Sequence, residues 1–171
     1  MFTAIKKDLN KIEVFTEIKA QIEALGFTVI AHDTERPWGA FLVIEPTQIK
    51  EFQQKFFGEV TLSFDDKLSY SPKILLVAPE QKLSWQYHHR RSELWKLVEG
   101  EAAIARSQTD QENTAEDMKI GEVITLAQGE RHRLIGKNSW GIVAEIWVHT
   151  DPNNPSNEDD IVRVQDDYQR K

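Results

Sequence analysis

Apolar residues recur at Ile5, Leu9, Ile12, Phe15, Ile18, Ile22 and Leu25, every third or fourth position, with Lys, Glu, Asp and Gln on the other faces. That spacing predicts an amphipathic helix over residues 4–25, stopped by Gly26. Residues 27–31 and 40–44 read as strands on either side of a loop that contains Pro37 and Gly39. Thr47 is the expected N-cap of a short helix reaching Phe57, with Ile49, Phe52 and Phe56 on one stripe and Gly58 as terminator. From Val60 the texture changes to short β-branched and aromatic runs separated by polar turns. The strands expected there are 60–64, 73–78, 83–88, 93–98, 101–106, 122–126, 131–135 and 140–149, with a polar hairpin loop over 107–117. So many short strands indicate a sandwich or barrel. The tail opens with an irregular stretch, 151–157, and then offers Ile161, Val162 and Val164 for docking onto the barrel.

One octapeptide interrupts this pattern with chemistry. In Gln86-Tyr87-His88-His89-Arg90-Arg91-Ser92-Glu93, Gln86 and His88 are two apart and leave the same face of an extended strand, and a turn over 89–92 can return Glu93 beside them. His132, three residues after Gly129, is the most suggestive fourth ligand. The chain has no cysteine, which removes disulfides and thiolate sites and leaves nitrogen and oxygen donors for any metal. Convergent His and carboxylate side chains on a rigid sheet favour one divalent ion, and zinc, manganese, iron and cobalt all suit such a set. Zinc is the favoured choice. Taken singly, His88 would read as a hydrogen-bonded structural histidine.

The 171 residues are enough for one core without staples, and the net charge of −7 argues against a nucleic-acid partner while leaving room for a small anionic ligand. No apolar run approaches the roughly 20 residues that span a bilayer, and charges near the N-terminus do not suit a secretory leader. A cytoplasmic address and no membrane partner are expected.

The spacing Gln86-x-His88-x(4)-Glu93-x(6)-Gly100, followed by Gly121-x(5)-Ala127-x-Gly129-x(2)-His132, resembles the two motifs of cupins, with Gln in the place of the first His. Residues 36–39 (RPWG), 83–95, 129–134 and 158–168 are together similar to the cupin domain of type II phosphomannose isomerases. Glu80, Arg90, Ala127 and Gly136 depart from that pattern without removing a ligand, and no Gly-rich nucleotide-binding stretch is present. The resemblance implies a mainly β fold, a cupin-type double-stranded β-helix or jelly-roll barrel, in a single domain over 1–171. Its parts would be a helical extension with one or two added strands (1–58), the barrel (59–150) and a tail packed on it (151–171). It further implies aldose–ketose isomerisation of a sugar phosphate, mannose 6-phosphate to fructose 6-phosphate first, and a homodimer. Another sugar-phosphate isomerase or epimerase, or a metal-containing sugar-binding cupin without turnover, stays open beside it.

Such a reaction needs a metal to orient carbonyl and hydroxyl oxygens, a base to move a proton between C1 and C2, and cations for the phosphate. Gln86, His88, Glu93 and His132 are the expected metal ligands. Arg91, two residues before Glu93, is the first choice for a catalytic or substrate contact, with Arg133 second and Arg36 third as a substrate contact. No base stands out. His89 and Lys96 alternate to the wrong strand face, Glu130 and Glu145 are conceivable, and Trp85, Trp95, Trp140 and Trp147 are expected to pack the sheet.

Overall fold

A computed structural model describes residues 2–6, 8–60, 64–65 and 67–170. The first helix, α1 (Lys11–Ala24), is shorter than the periodicity suggests. Asn10 caps it, accepting from the amides of Ile12 and Glu13 while the Glu13 carboxylate accepts from the Asn10 amide. Ile5 and Leu9 keep the apolar rhythm because they pack on the same core as the helix, although they lie outside it. After β1 (Val29–Asp33) and β2 (Gly39–Ile44), a 3-10 turn (Pro46–Gln48) leads into α2 (Ile49–Phe57). Thr47 does not cap that helix; it lies inside the turn, whose N-cap is Glu45. The strand expected over 60–64 falls largely outside the described residues.

The remaining strands are β3 (Tyr70–Val77), β4 (Trp85–Tyr87), β5 (Arg91–Ser107), β6 (Glu116–Asp117), β7 (Val123–Leu126), β8 (Arg131–His149) and β9 (Val162–Gln165). All pairings among them are antiparallel, along the path β1-β2-β3-β8-β4-β9, with β5 joining β6, β7 and β8. This is the mainly β, cupin-type architecture with two helices that the resemblance implies. Strands β2, β3 and β8 are covered on both faces. Leu42, Ile44, Ile74, Leu76, Ile142, Ala144 and Ile146 face outward onto Val14, Ile18 and Ile22 of α1 and Phe52, Phe56 and Phe57 of α2. The alternate positions, Leu75, Val77 and Val143, face inward onto Trp95, Leu97, Ile104, Leu126 and Leu134.

Two pairs of expected strands fuse into single long ones, 93–98 with 101–106 in β5 and 131–135 with 140–149 in β8. Each passes from one part of the barrel to the next through a bend where β5 slips register, between Leu97 and Glu99 and between Gly100 and Ala102. Glycine is required at that bend. Gly100 has φ +77°, and a Cβ there would lie 1.7 Å from the Trp140 carbonyl oxygen; a Cβ at Gly136 would lie 2.0 Å from the Ala78 carbonyl oxygen. The tail attaches differently from the expectation. It adds β9 to β4 through backbone pairing, and Val164, expected to dock, stays exposed.

Candidate functional site

Strand register assembles the site. Gln86 of β4 lies directly opposite His132 of β8 on one side and Arg163 of β9 on the other, so the three emerge in a row on one face. His88 follows two residues after Gln86, and Glu93 enters from β5 opposite Trp147 of β8. His88, Glu93 and His132 are buried, and each offers a ligand atom within 4.8 Å of the others. His88 Nε2 is 3.3 Å from one Glu93 oxygen and His132 Nε2 is 3.4 Å from the other.

The surroundings fix the chemical form of these groups. His88 Nδ1 donates to the Asp160 carbonyl oxygen (2.6 Å) and His132 Nδ1 to the Glu130 carbonyl oxygen (2.9 Å), which turns both Nε2 atoms toward Glu93. Burial, reinforced by the nearby charge of Arg91, depresses the His88 pKa to about 3, so its imidazole is neutral. Burial alone would raise the Glu93 carboxyl, but the Arg91 guanidinium beside it holds it well below the usual range. His132 Nε2 and one Glu93 oxygen have no hydrogen-bond donor, and two buried acceptors facing each other repel unless a cation lies between them. A His₂Glu set with oriented rings fits a divalent metal. The Gln86 amide nitrogen stands 3.4 Å from His88 Nε2 while its oxygen accepts from Ser84 Oγ at 2.5 Å. A half-turn of that amide, which exchanges its oxygen and nitrogen, is what a ligand role for Gln86 requires.

Arg91 lies beside the cluster, with its guanidinium already committed. Nε donates to Glu93 (2.7 Å), one terminal nitrogen to His88 Nε2 (3.0 Å), and the other to Ser156 Oγ (2.8 Å) and the Asn157 carbonyl (3.2 Å). Its plane also covers the Trp147 ring at 3.5 Å. Asp160 braces the same corner. Its carboxylate accepts from the His89 and Arg90 amides, both at 3.0 Å, and from Ser156 Oγ at 2.6 Å, while its carbonyl holds His88.

Glu93 of the cluster lines a cavity whose walls include Phe41, Lys73, Trp95, Glu145, Trp147 and Glu158. Lys73 of β3 is directly opposite Glu145 of β8, and both are buried. Burial, with the charge of Glu93 adding to it, raises the Glu145 pKa to about 7, and Trp95 Nε1 donates to the carboxylate at 2.9 Å. Burial lowers the Lys73 pKa against the pull of Glu145 and of Glu158, which its ammonium contacts.

The expected residues are therefore distributed unevenly. Gln86, His88, Glu93, His132 and Arg91 come together, and Arg36 lines the same cavity from the β1–β2 loop. Arg133 does not join them. It is the neighbour of His132 on an extended strand and so points the other way, where it is buried against Glu112, Asp167 and the Gln165 carbonyl. Glu130 also lies elsewhere, taking Arg106 and the Ala127 amide, and His89 is exposed against Tyr87. The Lys73–Glu145 pairing and the roles of Asp160 and Arg163 escape a reading of the octapeptide alone. Their signal is a charged residue inside an apolar strand run, as in residues 73–77 and 141–148.

The xanthan biosynthesis protein XanB, from two strains of Xanthomonas campestris pv. campestris, is 27% identical over 171 residues; the match covers 94% of this chain and 29% of XanB, so the chain spans less than a third of these relatives. Among solved structures, the capsular polysaccharide assembling protein CapF from Staphylococcus aureus matches 92% of this chain and 40% of its own at 16% identity and TM-score 0.48. A cupin 2 conserved barrel domain protein from Salinispora arenicola matches 51% of this chain and 80% of its own at 19% identity and TM-score 0.40. The family model for the mannose-6-phosphate isomerase C-terminal domain matches residues 55–166, and the chain belongs to that family.

Proposed function

We propose that this protein is a metal-dependent isomerase of a hexose 6-phosphate, interconverting mannose 6-phosphate and fructose 6-phosphate. The observation that carries the reading is that Glu93 of the His88–Glu93–His132 cluster lines the same cavity as the Lys73–Glu145 pair. A divalent ion held there by His88, Glu93 and His132 would polarise the carbonyl and hydroxyl oxygens of the sugar. Everything else falls to the side chains. Glu145, with a pKa near neutrality, suits a group that accepts a proton from C2 and returns it to C1. Lys73, opposite it, stabilises the charged carboxylate before the first transfer and after the second, and the Trp95 indole fixes the orientation of the carboxylate. Arg91 positions Glu93 and His88 and supplies positive charge beside the developing enediol oxygens. Trp147 forms a wall of the same cavity between Lys73 and Arg91.

The test is the interconversion of the two sugar phosphates by protein stripped of metal and reloaded separately with zinc, manganese, cobalt or iron. Turnover with at least one metal and none in the stripped protein is the expected result. Sugar binding without turnover under every metal would instead assign a binding module.

A further inference from the structure

The far end of the cavity has a chemistry of its own. Half-buried Arg36 from the β1–β2 loop, Arg163 from β9 and Arg170 from the tail line it and form its mouth, whereas His88, Glu93 and His132 are fully buried. The three guanidinium charges oppose one another: burial first, then the proximity of Arg170 and Arg36, lowers the pKa of Arg163 against the pull of Asp166 and Glu158. Asp33 pairs with Arg36 Nε at 2.9 Å, and Asp166 accepts from Nε and one terminal nitrogen of Arg170 at 3.0 and 2.6 Å, but neither carboxylate lines the cavity. Glu158 is the carboxylate at the mouth, and it contacts Lys73. Bringing like charges together costs free energy, and an anionic group bound among them offsets it.

A path of positive charge connects this mouth to the metal ligands. Arg36 lies 5.5 Å and Lys73 5.1 Å from the centroid of the Phe41 ring; Lys73 and Arg91 lie 3.2 and 3.5 Å from the centroid of Trp147. Cations and rings thus alternate along one wall, from Arg36 at the mouth to Arg91 at the cluster. Along another wall the row His132, Gln86, Arg163 runs across three paired strands. Both walls join an oxygen-binding end to an anion-binding end.

We propose that Arg36, Arg163 and Arg170 form a phosphate subsite at the cavity mouth, which takes the terminal phosphate of an extended sugar whose opposite end reaches His88, Glu93 and His132. The assignment rests on the sugar-phosphate reading above and adds a direction to it. The reacting carbons lie deep and the phosphate lies outside, so a phosphate on C6 fits and one on C1 puts charge at the wrong end. Guanidinium forks suit this role because they pair with two phosphate oxygens at once. Arg91, whose nitrogens are spent on Glu93, His88 and Ser156, is left to hold the cluster.

The test is calorimetric titration of the metal-loaded full chain with mannose 6-phosphate, mannose 1-phosphate, mannose and inorganic phosphate. Wild type should bind the 6-phosphate about tenfold or more tighter than either mannose or the 1-phosphate. Arg163→Gln should lose that preference by a similar factor, leaving mannose affinity, metal content and melting temperature unchanged. Arg36→Gln, on the opposite lip, is the second variant should Arg163→Gln fold poorly. Retention of the full 6-phosphate preference by both variants would overturn the subsite and leave the isomerase reading intact. Equal binding of phosphorylated and plain mannose by wild type would also overturn it, and the interconversion assay then decides the isomerase reading separately.

Discussion

The outer and inner faces of β2, β3 and β8 carry the same alternating sequence to opposite ends. On the outer face Ile74, Leu76, Ala144 and Ile146 pack into an apolar core that includes the ring cluster of Phe27, Phe52 and Phe56. On the inner face the intervening residues begin apolar, at Val77, Leu75 and Val143, and end at Lys73, Glu145 and Trp147. Burying apolar area at roughly 25 cal/mol per Å² stabilises the first face. Burying charges costs free energy, so the second face is one that the first must support. The helices α1 and α2 are the source of that support, which explains a helical extension in a β protein. If the division is real, changes on the inner face abolish chemistry and spare the fold, and changes on the outer face do the reverse.

The largest expected effect is on the inner face. Glu145→Gln keeps the hydrogen bond from Trp95 and removes the proton acceptor, so turnover should fall by roughly 10²–10⁴-fold with metal content intact. Loss of metal along with activity would place Glu145 among the ligands instead. On the outer face, Phe52→Ala removes a fully buried ring and should cost about 3–5 kcal/mol in denaturant unfolding, while the folded fraction still binds metal at wild-type stoichiometry. A drop in metal affinity per folded molecule would show that the two faces are coupled.

Asp160 tests the support behind the cluster. Asp160→Ala frees the His89 and Arg90 amides and the Ser156 hydroxyl, and should weaken metal binding by about 10–100-fold in a competition with a chelator. The pH dependence gives a smaller signal. Glu145 has a folded pKa of about 7 against a reference value of 4.5, so the folded protein holds an extra proton between these values. Its contribution to stability is complete below about 4.5 and is lost as pH rises to about 7. The stability of metal-free wild type relative to Glu145→Gln should therefore fall over that window, by up to about 1.4 kcal/mol per pH unit. A flat difference would mean that Glu145 titrates normally. The smallest effect is at the cap of α1, where Asn10→Ala should cost about 1 kcal/mol and leave the inner face untouched.

The barrel and the His88–Glu93 end of the cluster were legible because both depend on local periodicity, whereas His132 was reached through the resemblance to the second cupin motif. Gln86 and His88 share a face by two-residue spacing, and Glu93 returns within one turn. Local reading failed where contacts cross the sheet. That Lys73 stands opposite Glu145, or Arg163 opposite Gln86, is fixed by register between strands about 70 residues apart in sequence. Arg133 was a different kind of miss, because its place next to His132 already put it on the opposite face. Ile5 and Leu9 extended the helical rhythm beyond the helix, whereas Asn10 and Glu13 carried the true start as a capping box. The fused strands β5 and β8 read as pairs because Gly100 and Gly136 look like turns and act as bends.

The most direct measurement is a titration of metal-depleted protein with the best-activating divalent ion, following mannose 6-phosphate to fructose 6-phosphate by NMR at each addition. Activity should rise in proportion to bound metal and saturate at one ion per chain, and Glu93→Ala and His132→Ala should neither retain the ion nor turn over. Full turnover in the depleted protein, or stoichiometric metal in both variants, would contradict the assignment of the His88–Glu93–His132 cluster.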